Sequence, residues 1–62
     1  MDIEKIKKQL KQVLILRQVN IFDINAIQNS ANEMGLSDLV IAIEDDKIEV
    51  INQLFNMIKN QE

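Results

Sequence analysis

Apolar side chains stand at Ile3, Ile6, Leu10 and Val13, and Arg17 continues the same 3-4-3-4 spacing. That repeat draws a single stripe along an α-helix, so it predicts a first helix from about Asp2 to about Gln18. Asp2 and Glu4 fall in its first turn, where the helix dipole favours negative charge. The second half departs from the stripe. Val13, Leu14, Ile15 and Leu16 are consecutive apolar residues, and at about 100° per residue they spread over roughly 300° of the circumference. One core covers only part of that arc, so some of this run is expected to face outward. A β-hairpin pairing "VLIL" with "VNIF" is the competing reading. Arg17 and Gln18 suit the positive φ of a two-residue turn poorly, and the helical period runs unbroken into Val13, so the helix is preferred.

Further along, Asp23 reads as the N-cap of a second helix carrying Ile24, Ile27, Ala31 and Met34 at 3-4-3 spacing. Gly35, the only glycine, sits where a left-handed C-cap would end that helix. Ser37 then reads as the N-cap of a short third helix, with Leu39, Val40 and Ile43 inward and Leu36 packing at its start. Asp46 and Glu49 form a capping-box-like pair for a fourth helix, with Ile48, Ile51, Leu54, Phe55 and Ile58 expected on the inner face. Val50 and Met57 lie on a second stripe of that helix. The pattern predicts an all-α fold: one domain over residues 1–62, a compact bundle of three to four short helices ending in an αα-hairpin.

Composition sharpens this picture. A chain of 62 residues buries only about 60% of the surface its unfolded form exposes, so small domains usually lean on disulfides, metals or association. With no cysteine and no histidine, helix packing and association are what remain. Hydrophobic residues make up 47% of the chain against 27% charged, which belongs to a folded protein rather than a disordered one. The apolar set is aliphatic, with eleven Ile, six Leu and only Phe22 and Phe55 as aromatics, so a stacking platform for bases is not expected. No apolar run approaches the roughly 18 residues of a membrane span, and the first ten residues lack the apolar segment of a signal peptide. A cytoplasmic protein is expected, and the wealth of Ile, Asn and Lys suits an AT-rich bacterial or phage genome.

Net charge is −3, unevenly distributed. Lys5, Lys7, Lys8, Lys11 and Arg17 face Asp2, Glu4 and Asp23 in residues 1–31. Lys47 and Lys59 face Glu33, Asp38, Glu44, Asp45, Asp46, Glu49 and Glu62 in residues 32–62. In an acidic chain, the basic first helix reads as a solvated face before it reads as a phosphate-binding stripe. Catalysis is not expected, because nucleophilic mechanisms need an activated nucleophile and a base. The chain has no His, Cys or Tyr, and its only hydroxyl side chains are Ser30 and Ser37. The carboxylates of "IEDD" lack the alternating ligands and central glycine of a calcium loop, so no metal or cofactor is expected, and capping explains them.

Two local resemblances bear on function. "IQNSANEMGLSDLVIAIE" resembles the helix-turn-helix element of small DNA-binding regulators, with an alanine four residues before a glycine, an apolar residue, and a serine opening the next helix. The resemblance implies a DNA-binding regulator using residues 28–44, with the lysines of the first helix on phosphates. The would-be recognition helix, however, offers Asp38, Glu44 and Asp45 and no Arg, Lys, Asn or Gln for base edges. "SDLVIAIEDDKIEVINQLF" is similar to the paired helices of one ankyrin repeat, with Ala42 at the small position. Asp38 replaces the family's proline and Asp46 its inter-helix glycine, and nothing one repeat upstream matches, so what it implies is an αα-hairpin from Ser37 to Phe55.

The reading that accounts for most of the pattern is a non-enzymatic, regulatory interaction module. It would pair with itself, as a homodimer, or dock on another protein, through the apolar surface of the first helix and neighbouring apolar residues. The residues expected at that surface are Val13, Leu14, Ile15, Leu16, Val50 and Met57.

Overall fold

Asp2 opens the first helix by accepting the Lys5 backbone N–H on Oδ1 at 3.2 Å. In the computed structural model, which describes residues 2–59, α1 spans Ile3–Arg17, α2 Ile24–Glu33, α3 Ser37–Asp45 and α4 Lys47–Lys59. The fold is a small all-α bundle, with no strand among the described residues. Asp23 caps α2 by accepting the Ala26 N–H at 3.1 Å, and Asp46 caps α4 by accepting the Glu49 N–H at 3.1 Å. The reciprocal half of the capping box is absent: the Asp46 N–H donates to the Ala42 carbonyl, and the Glu49 carboxylate accepts from Gln53 instead.

The helix ends use the left-handed region twice. Gly35 has φ +74° after α2; its N–H reaches the Asn32 carbonyl and the Leu36 N–H reaches that of Ala31, the paired bonds of a Schellman motif. Gln18, at φ 53° and ψ 38°, plays the same part after α1 and donates its N–H to the Leu14 carbonyl. A residue with a Cβ is strained there, so Gln18→Gly is expected to stabilise the fold by about 1 kcal/mol, read as a higher denaturation midpoint at unchanged slope.

Ser37 does not cap α3. It is the first helical residue, the N-cap position is held by Leu36, and no side chain of that segment closes the turn. The acceptor comes from α1: Gln9 Oε1 accepts the Leu39 N–H at 2.9 Å, and Gln9 Nε2 lies 3.5 Å from Asp38 Oδ2. Beside it, Lys5 Nζ sits 2.9 Å from Asp38 Oδ2. The hydrogen bond and charge of Lys5 hold the Asp38 carboxyl below the usual carboxylate range and raise Lys5 in return. Because the folded-state value is the lower one, this pair stabilises the fold above the ordinary carboxylate pKa and is lost as pH falls through the depressed value. Asp38→Asn is therefore expected to narrow the stability gap between pH 6 and pH 2, measured by urea unfolding at each pH.

The core gathers Ile6, Leu10 and Val13 of α1, Ile27 and Ala31 of α2, Leu39, Ala42 and Ile43 of α3, and Val50 and Leu54 of α4. Helices α1 and α3 each touch all three others, while α4 packs on α1 and α3. Joined through the single residue Asp46, α3 and α4 form the expected αα-hairpin. The inner face of α4 differs from the expected one. Val50, Gln53 and Leu54 point inward with Met57 beside them, whereas Ile48, Phe55 and Ile58 are exposed. Gln53 donates from Nε2 to Glu49 Oε1 at 3.0 Å, and its buried Oε1 has no partner among the described residues.

Candidate functional site

Between the start of α2 and α4 the bundle is open, because α4 lies along α1 and α3 rather than along α2. The turn Gln18–Asp23 crosses this gap. Asn20 holds it in shape, its Oδ1 accepting the Phe22 N–H at 2.9 Å and its carbonyl the Asp23 N–H at 2.9 Å. The turn places Ile21 against the core and leaves Phe22 outside it. Across the gap, Phe22 meets Phe55 of α4 at a centroid separation of 6.2 Å, the rings tilted by 47°, within the range of favourable aromatic pairs.

Two depressions adjoin at this point. The smaller, ≈120 Å³, is walled by Ile21, Phe22, Ile24, Ile51, Leu54, Phe55 and Ile58, all apolar. The larger, ≈480 Å³, lies between α1 and α4 and takes in Leu14, Ile15, Ile21, Met57 and Ile58, with Lys7, Lys11 and Asn56 on its rim. Ile21 and Ile58 line both, so the two form one groove with an aromatic pair at one end and two lysines at the other. Phe22 is 72% exposed, Ile15 71%, Phe55 51% and Ile58 37%. The contiguity of this apolar surface makes the groove the candidate site, which singly scattered apolar residues would not.

The sequence-expected docking residues divide. Ile15 and Leu16 are exposed, at 71% and 67%; Ile15 lines the groove and Leu16 does not. Leu14 and Met57 are half-buried, packed on the core with an edge in the groove. Val13 and Val50 are a correction: both are fully buried, Val13 because it continues the Ile6–Leu10 stripe and Val50 because α4 turns that side toward α1 and α3. Phe22, Phe55, Ile58 and Ile48 were missing from the expected surface. The available signal was on α4, where Ile48, Ile51, Phe55 and Ile58 repeat at 3-4-3 beside a second stripe that also suits a core.

Two charged surfaces are partly engaged by internal contacts. Asp2, Asp38 and Asp45 border a ≈250 Å³ depression at the start of α3, but Asp2 caps α1 and Asp38 is held by Lys5 and Gln9. Among the described residues, no three acidic side chains gather as a cation site. On the basic face of α1, Lys5 pairs with Asp38 and Lys7 lies 4.0 Å from Glu4. In helix-turn-helix docking the first turn of the recognition helix reads the bases; here the first turn of α3 is met by Lys5 and Gln9 of α1. No helix among the described residues is long and apolar enough to cross a membrane.

Fold and groove define a small helical bundle with an open apolar face. The chain belongs to the family described as "Domain of unknown function (DUF5049)", whose model matches residues 1–57. Comparison with curated proteins and with solved structures returns no match.

Proposed function

We propose that the protein is a non-enzymatic interaction module that works by docking another polypeptide in the groove formed by α1, the Gln18–Asp23 turn and α4. The observation that carries this reading is the exposed Phe22–Phe55 pair, continuous with Ile58 and Ile15. Aromatic side chains are the usual anchors of protein interfaces, and these two sit beside a depression rather than on a flat surface. Full burial of a Phe or Ile contributes about 1.5–3 kcal/mol, so covering the exposed parts of these four residues contributes about 3–7 kcal/mol on this side of the contact. An equal share from the partner brings the sum to the order of the cost of association, about 4–15 kcal/mol. Docking is preferred to DNA reading because the first turn of α3 is occupied and the exposed Glu44 and Asp45 are acidic.

Photo-crosslinking in the producing cell tests this. A benzoylphenylalanine placed at Phe22 or at Ile15 is expected to give discrete protein adducts, and one at the exposed Asn29 of α2 to give none. Adducts at all three positions alike, or at none, would overturn the reading.

A further inference from the structure

We propose that the groove is covered by a second copy of this chain, with α4 lying antiparallel on the partner's α4 about a two-fold axis that passes between Ile51 and Phe55. The inference rests on the docking reading above and names the occupant. Its first support is the outward stripe of α4. Ile48, Ile51, Phe55 and Ile58 repeat at 3-4-3 spacing, the seam along which two helices interlock. About such an axis, Ile48 of one copy meets Ile58 of the other and Ile51 meets Phe55, so the stripe is complementary to itself, as an isologous contact requires. Phe22, stacked beside Phe55, widens the seam on the α2 side.

Charge selects the orientation. The segment leading into α4 is acidic on balance, with Glu44 and Asp45 closing α3, Asp46 as the cap and Glu49 in the first turn against the single cation Lys47; the other end of α4 carries Lys59, and Lys7 and Lys11 rim the groove beside Met57 and Ile58. Antiparallel pairing sets the basic end of one copy over the acidic end of the other. Parallel pairing sets like on like, which is repulsive. Area is adequate as well. At their observed exposures the two phenyl rings leave roughly 250 Å² open and Ile15, Ile48 and Ile58 a similar amount, on the order of 500 Å² of the roughly 800 Å² that each partner contributes to a stable interface. The polar rim supplies the rest.

Size-exclusion chromatography with light scattering on the purified full chain is expected to give twice the 7.2 kDa chain mass, and Ile48→Glu to give a monomer of unchanged helical circular dichroism. Because the chain has no cysteine, orientation is read by oxidation. The double variant Ile48→Cys/Ile58→Cys should form a covalent dimer while neither single variant does. Lys59→Glu, which reverses the charge at one end of the seam, is expected to weaken dimerisation severalfold. A monomeric wild type, a dimer indifferent to Ile48→Glu, or covalent dimers from the single cysteine variants would each overturn the proposal. If the chain is monomeric and the Phe22 probe still captures a different protein, the docking face stands and the second copy falls.

Discussion

Val50→Glu is expected to unfold the protein, and Ile48→Glu, two residues away on the same helix, to leave it folded. Val50 is fully buried on the inner face of α4, within the apolar core cluster. An uncompensated buried charge costs about 3–5 kcal/mol, against a total stability of about 3–9 kcal/mol for a domain of this length. Ile48 is 72% exposed, and an exposed substitution of this kind changes the stability of the protomer by about 0.5 kcal/mol or less. Far-UV circular dichroism at 25 °C with a urea titration separates the two outcomes. Equal loss of helicity in both variants would mean that α4 does not present the inner face described above.

Leu10→Ala carries the second large effect. Leu10 is among the largest fully buried side chains and sits midway along α1, which touches all three other helices. Its truncation removes apolar contacts and leaves a cavity that three surrounding helices can close only partly. The expected destabilisation is about 3 kcal/mol, within the 2–5 kcal/mol typical of such sites, and it should appear as a lower urea midpoint with an unchanged slope. Leu16→Ala, on the exposed side of the same helix, is expected to move the midpoint by about 0.5 kcal/mol or less. A comparable loss in both would argue that Leu16 is covered.

These contrasts mark where the chain was legible and where it was not. Asp23, Gly35 and Asp46 were all readable as helix punctuation, because each satisfies backbone groups within a few residues of itself, whereas Asp2, expected inside the first turn, is the cap just before it. Ser37 looked equally good by that rule and is no cap. Gln9 brings the acceptor from 30 residues away, and no local pattern encodes a contact that only the packing of α1 on α3 creates. The run Val13–Leu16 was correctly suspect as a whole. Its division into buried Val13, half-buried Leu14 and exposed Ile15 and Leu16 follows from where α2 and α4 stand around α1.

Helix α4 makes the same point more sharply. Of its two stripes, the one with more apolar members, Ile48–Ile51–Phe55–Ile58, is the one turned largely outward. The inner stripe includes Gln53, which no reading of hydrophobicity would select. Counting apolar residues therefore placed Val50 at the surface and Phe55 in the core, the reverse of what packing on α1 and α3 requires, while Met57 lies half-buried between the two.

The amino-acid order by itself determined the all-α class, most of the helix ends and the surplus of apolar side chains, since periodicity and capping are properties of neighbouring residues. Which of those side chains became core and which became a groove was decided only when the helices met. A helix with two apolar stripes can bury either, and the partners already in place select the one that closes against them.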